Sequence, residues 1–461
     1  MTLVLSSAIF GPAFSDPAVS ALLDDAAYFR ALLEVEEALS RVQARLGLIP
    51  SEASTAITAA ATTLELDASV LAAGVLRDGI PMIALVKQLR AAVGSEAAQY
   101  VHWGATSQDI MDTATVLCAR RVLLHMRWGL GRLFHALAAL ASAHRSSVMA
   151  ARTHGQQALP TTFGLKVALW ASPLLRQHER LDQLLPRFAV LQLGGAAGTL
   201  AALGPRGPAL VRELAAELGL GAPDLPWHAQ RDRIVELGGW LGLLAGSLGK
   251  LAQDVILLCQ TEVAEVAEAA PGQRGGSSSM PQKNNPMRSE QILAAARRSG
   301  AELVALQQAL VQEHERGTHG WQVEWLSLSP LLALAAGALH HAGSLIEELE
   351  VDAARMRDNL LAPPAGAFAE AAVGALSAVL ERQEAQALVA SCAARARAEG
   401  RTLVQVLEAE LAGHHSIDWA WLAQPENHLG QALAWVDQSV AALRAAGDQI
   451  AARAPLAHSA G

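Results

Sequence analysis

Cysteine, aromatic side chains and charge are all scarce in this chain of 461 residues. Its three cysteines, Cys118, Cys259 and Cys392, are far apart and odd in number. This excludes a disulfide framework and a cysteine-based metal cluster, and points to a reducing compartment. Aromatics make up 4% and charged residues 17%, against 52% hydrophobic, so the apolar excess is mostly Ala, Leu and Val. A chain this apolar and this low in charge is not disordered. A basic excess is also missing: 35 Lys and Arg against 44 Asp and Glu give a net charge of −9. That argues against nucleic acid as a partner, while a small anionic substrate needs only a few local donors. Long apolar runs are absent too. The stretch from Leu331 to Leu339 is about half the ~20 residues a spanning helix needs, and no basic residue precedes Arg30 to make the charged start of a secretory signal. The expectation is a cytoplasmic protein with no membrane partner.

What is present is helical periodicity. Ala and Leu are strong helix formers and pack helices closely. Leu22, Leu23, Tyr28, Leu32, Leu33, Val35 and Leu39 recur at three- and four-residue steps before Gly47 and Pro50. Long helices are expected over about 110–148, 160–185, 229–268, 287–312 and 328–350. No stretch alternates cleanly enough to demand a strand, and no repeat of 20 to 50 residues appears. Helices this long belong to elongated bundles, often completed by other subunits. The expected fold is all-α, with an N-terminal helical domain over 1–110, a central long-helix bundle over 111–355 and a small C-terminal helical domain over 356–461.

Three polar segments interrupt the helices: 102–109 (HWGATSQD), 152–157 (RTHGQQ) and 271–286 (PGQRGGSSSMPQKNNP). The last, with three Gly, three Pro and three consecutive Ser, is incompatible with a helix or a central strand. Loops of this length are usually functional or disordered. A Gly-rich backbone can turn several N–H groups towards one anion, and a serine beside such donors and a lysine is placed for proton transfer. The run Gly194 to Thr199 (GGAAGT) lacks the spacing of either nucleotide-binding glycine motif and reads as a close-packing or substrate-lining segment. The adjacent pairs His340-His341 and His414-His415 have no metal-ligand spacing and read as surface or capping histidines.

The loop GSSSMPQKNNP, with Gly276, Ser277, Ser278, Met280, Pro281, Lys283 and Asn285 in register, resembles the signature of the fumarase/aspartase superfamily of lyases. The 102–109 and 152–156 segments resemble its two other motifs, in the same order. Within the superfamily the chain most resembles the bacterial carboxymuconate cycloisomerases, over 101–114, 191–204, 226–236, 244–266, 312–325 and 349–356. It also shares elements with adenylosuccinate lyases, the alternative reading. In place of the serines and arginine that hold a nucleotide there, however, residues 317–325 (GTHGWQVEW) offer aromatic surface and no arginine after Arg316. The loop also departs from the MPHKRNP common among cycloisomerases, at Gln282 and Asn284.

The resemblance implies addition of a carboxylate across a double bond, without metal or cofactor, acting on a small polycarboxylate. It implies Ser277 as the proton-transfer residue, with Lys283 and His154 as further catalytic residues, His154 chiefly binding substrate. His102, Thr106, Ser107, Thr153, Gln230, Ser278 and Asn285 are the expected substrate-binding residues. It also implies a homotetramer in which the long helices complete a multi-helix core and each site draws on several subunits.

Overall fold

The computed structural model describes residues 4–94, 96–268, 275–276, 279–280, 283–362, 367–412 and 416–453. Ser277 and Ser278 lie outside these described residues, as do Pro281 and Gln282.

Six helices carry most of the architecture: α1 (Asp25–Arg45), α2 (Ser107–Ala143), α3 (Phe163–Phe188), α4 (Asp232–Leu258), α5 (Met287–Ala309) and α6 (Gly320–Glu348). Helix α1 begins where the Asp24 carboxylate accepts from Ala27 N at 2.8 Å, which satisfies one of the free first-turn donors. Its apolar stripe, including Leu32, Leu39 and Val42, is buried. The Ala-rich stretch after it breaks into three helices, Ser51–Thr63, Ala68–Asp78 and Met82–Val93. Asp67 caps the second through Ser69 and Val70 N–H, and Gly79 ends it in the left-handed region at φ 78°.

Periodicity located α2, α3 and α5 within about five residues; α4, expected to run to 268, ends at Leu258, and the tail of that stretch forms a short strand over Val266–Glu268 instead. Helix α6 differs. Read from the sequence it starts near 328, next to Pro330, whereas it begins at Gly320 and carries that proline inside. Burial of Trp321, Glu324, Ser327 and Leu328 in the turns before the proline outweighs the one backbone bond a proline removes.

The chain divides into two compact units, with boundaries inside α2 to α6. The first comprises Met1–Arg127, Gln177–Gly246 and Ala294–His340, and its core includes Leu32, Leu39, Ile57, Leu85 and Leu89. The second comprises Trp128–Arg176, Ser247–Leu293 and His341–Gly461. Its C-terminal helices bury Phe368, Leu376, Val389, Leu403 and Leu407 in one cluster with Val148 and Ala150.

Among the described residues the architecture is helical as expected, with two small two-stranded sheets, both in the second unit. Strands β1 (Val148–Thr153) and β2 (Gln156–Thr162) form an antiparallel hairpin; β3 (Val266–Glu268) pairs with β4 (Leu349–Val351), also antiparallel. Strand β1 hid from the alternation test because Val148, Met149 and Ala150 are all buried, leaving no polar face.

Helices α4 and α6 are long and apolar enough to cross a membrane by length and composition. The sequence reading missed this because it counted uninterrupted runs. Half of the apolar window in α4 and 61% of that in α6 are buried inside the protein.

Gly164, at the start of α3, is a close-approach point. A Cβ there would lie 2.8 Å from both Ala141 O and His144 O. These are backbone atoms that no side-chain rotation moves aside. Gly164→Val is therefore expected to lower stability by about 2 to 3 kcal/mol, read as a fall in the denaturant midpoint.

Candidate active site

In the first unit, the segment after Val101 turns through His102 (φ 64°) and Gly104 (φ 73°) into α2. Asp109, 1% exposed and in the first turn of that helix, organises what surrounds it. Its Oδ2 accepts from Thr106 N and Gly195 N, each at 2.9 Å. Its Oδ1 accepts from Gly194 N at 2.9 Å and Gln192 Nε2 at 3.3 Å, and His228 Nε2 lies 2.7 Å away. One buried carboxylate thus ties 106, 192–195 and 228 together, and its position suits the positive end of a helix.

Within the GGAAGT run, expected to be close-packing or substrate-lining, Gly194 is a point of close packing and Gly198 is open. A Cβ at Gly194 would sit 2.7 Å from Pro226 Cβ and 2.8 Å from His228 Cε1. Arg316 reaches the same place, donating to Thr106 Oγ1 at 3.2 Å and to Ala196 O at 3.0 Å.

One turn along α2, Asp112 pairs with the buried Arg231, which also holds Glu324 of α6. Trp321 Nε1 donates to Asp112 Oδ1 at 3.0 Å. The aromatic surface expected of 317–325 is therefore halved: Trp321 is turned inward and spent on Asp112, leaving Trp325 exposed. Burial pushes the Glu324 carboxyl up, against the opposing pull of Arg231.

His102 Nδ1 lies 2.6 Å from Oε1 of the buried Glu36. Burial alone lowers an imidazole pKa, but the Glu36 carboxylate, by charge and hydrogen bond, outweighs it and holds His102 above the usual histidine value. Thr106 and Ser107 are half-buried at the head of α2. Gln230 is exposed, and its side chain makes no hydrogen bond among the described residues.

In the second unit, the hairpin β1–β2 turns through only two residues, His154 (φ 49°) and Gly155 (φ 78°). Both have positive φ, the signature of a type I′ turn that matches strand twist. Thr153 and His154 are exposed at its tip. Behind them Arg152 makes a two-pronged ion pair with Glu265, at 2.9 and 2.6 Å.

Lys283 and Asn285 line a cavity of about 790 Å³ with Cys259, Glu268, Glu290 and Asp352. Thr153 and His154 are not among its lining residues. Asn285 donates through both N and Nδ2 to Gly275 O, at 2.9 and 2.8 Å, fixing the arm of the signature segment. Lys283 is exposed, and its side chain has no partner among the described residues.

Asp109, Gln192, His228, Arg231, Arg316 and Glu265 were not singled out from the sequence as site residues. Several fall inside the motif segments, but what identifies them is a partner far along the chain.

A family model described as lyase matches residues 16–299. The chain is 44% identical over 456 residues to a 3-carboxy-cis,cis-muconate cycloisomerase of Pseudomonas aeruginosa, covering 97% of this chain and 99% of that one. It is 40% identical over 451 residues to a nitrosuccinate lyase of Streptomyces davaonensis, covering 95% of each. The crystal structure of 3-carboxy-cis,cis-muconate lactonizing enzyme from Pseudomonas putida matches with a TM-score of 0.90 at 39% identity, covering 95% of this chain and all of that one.

Two outcomes are expected. Asp109→Asn replaces an acceptor-only group by one that points donors at N–H groups, and should cost about 3 kcal/mol, read by chemical denaturation. In an NMR titration His102 should titrate above 6.5, and Glu36→Gln should bring it down. The stabilisation from this pair is complete below the unfolded histidine value and is lost as pH rises through the higher folded one. Glu36→Gln should therefore flatten the fall in stability as pH rises above the ordinary histidine value.

Proposed function

The chain belongs to the lyase family of the fumarase/aspartase superfamily, and from that premise we propose that it is a 3-carboxy-cis,cis-muconate cycloisomerase. One carboxylate of the substrate attacks the conjugated chain, and its oxygen forms a bond to carbon. The electron pair of the double bond moves to the carbon alpha to another carboxylate, giving an aci-carboxylate dianion. A proton delivered to that carbon completes the γ-lactone, 4-carboxymuconolactone. The observation that carries this reading is the 44% identity to the Pseudomonas aeruginosa cycloisomerase over nearly the whole of both chains.

The dianion is the hard species, so stabilising it dominates the barrier. Lys283 and Asn285, lining one cavity, supply a cation and an amide for this. Ser277 gives the proton. Thr106 and Ser107, together with His102, Thr153, Gln230 and Ser278, bind the carboxylates. A carboxylate nucleophile is already ionised, so His154 has no proton to remove and serves binding. The working form is a cytoplasmic homotetramer whose sites combine segments of several subunits. Apolar side chains left exposed on the long helices, including Leu169, Leu257, Val304 and Leu326, support subunit packing.

A second reading, a lyase that releases a fumarate-type product such as adenylosuccinate lyase, is favoured by the exposed His154. An imidazole held at a turn tip can protonate a leaving group. Purified protein incubated separately with 3-carboxy-cis,cis-muconate and with adenylosuccinate decides between them. Loss of muconate absorbance with no small product released supports the cycloisomerase; fumarate release overturns it. Under the first reading Ser277→Ala and Lys283→Ala should each lower kcat by about 100-fold or more. His154→Ala should mainly raise KM.

A further inference from the structure

Resting on that function, we propose that Glu265 and Glu268 are positioning residues for the two site segments of the second unit. Glu265 sets the hairpin carrying Thr153 and His154. Glu268 sets the arm carrying Lys283 and Asn285. Neither carboxylate is needed for the chemistry itself.

Glu265 is fully buried, and both its oxygens are used. They accept from Arg152 at 2.6 and 2.9 Å, and Oε1 accepts again from Asn359 Nδ2 at 2.9 Å. Arg152 pairs directly with Gln157 across the hairpin, next to the Thr153–Gln156 pair that frames the turn. Glu268, at the far end of β3, is 8% exposed. Its Oε2 accepts from Arg288 N at 3.0 Å; its Oε1 accepts from Ser289 N at 2.9 Å and Ser289 Oγ at 2.7 Å. Its carbonyl accepts from Asn284 Nδ2 at 3.2 Å. The Lys283–Pro286 arm is thereby held within it, at Asn284, and just after it, at the head of α5.

The two glutamates are three residues apart, and residues at that separation on extended chain face opposite ways. One short segment, β3 with the residue before it, therefore serves two loops. The strand is itself fixed by pairing with β4 and by Asp352 N donating to Glu265 O at 3.0 Å. An amide at 265 turns an NH2 towards the guanidinium and loses the two-pronged geometry. An amide at 268 loses charge at the head of a helix.

The two arms carry different duties, so they separate kinetically. Steady-state kinetics with 3-carboxy-cis,cis-muconate would compare Glu265→Gln, Glu268→Gln and the control Asp182→Asn, which breaks the unrelated Arg127–Asp182 ion pair. Glu265→Gln is expected to raise KM about tenfold with kcat little changed, and Glu268→Gln to lower kcat about tenfold or more with KM little changed. The control should leave both within about twofold. Equal effects on kcat and KM in both variants, or effects no larger than the control's, overturn the proposal. Arg152→Lys and Asn284→Ala replace either variant that fails to fold. Hydrogen exchange without substrate keeps the two readings apart. Glu265→Gln should speed exchange over 148–162 alone, and Glu268→Gln over 283–290 alone. A wild-type protein inactive on the muconate overturns the function, and the exchange pattern then upholds or overturns the positioning by itself.

Discussion

The Asp109 carboxylate is the interaction on which the first unit's site depends. A single buried anion collects backbone N–H groups from the head of α2 and from the Gly194–Gly195 turn, and a side chain from the 226–228 segment. Burying a carboxylate costs several kcal/mol when it stands alone, and here the donors and the helix head offset that cost. Because the donors come from separate parts of the chain, the anion also fixes their mutual geometry. Thr106 and Arg316 inherit their places from it. The Asp112–Arg231–Glu324 group one turn along α2 extends the same logic, a buried cation shared by two acids.

The second unit uses ion pairing differently. There the charges lie behind the exposed groups: Arg152 and Glu265 under the hairpin, Glu268 at the head of α5. His154 and Lys283 are exposed at the surface, and Glu265 and Glu268 behind them are buried. A scarcity of charge in the whole chain, 17% of residues, is thus compatible with charge-dense supports at the site. The net charge of −9 says little about recognition, because the groups that meet a polycarboxylate are few and local.

Helix positions were legible because a buried stripe repeats every 3.6 residues and its breaks are chemical, as at Gly79 and Pro81. The 102–109, 152–157 and 271–286 segments stood out for the same reason, as polar chain that cannot continue a helix. What stayed hidden depends on pairing at a distance. Strand β1 has no polar face, and β3 is three residues long, so neither leaves a pattern. Asp109 sits in full view inside a motif, yet its partners at 192–195 and 228 lie more than 80 residues away. Trp321 was read as part of an aromatic surface because a sequence does not say which indole has found an acid to donate to. Helix α6 was expected to start near 328 and instead begins at Gly320, because buried side chains before Pro330 carry the helix through it.

The two-residue turn at His154 and Gly155 restricts what can replace the histidine. Position 154 holds φ 49°, a region open to Gly and tolerated by Asn, Asp and His, but strained for β-branched and bulky side chains. The backbone thus filters the side-chain repertoire before any chemistry is selected. A large apolar side chain at this tip would carry backbone strain, as Leu200 does at φ 53°, unless the turn changed its length or type. Exchanging the histidine at this corner of the fold for a bulky or β-branched residue therefore changes the backbone's energy as well as the chemistry on offer.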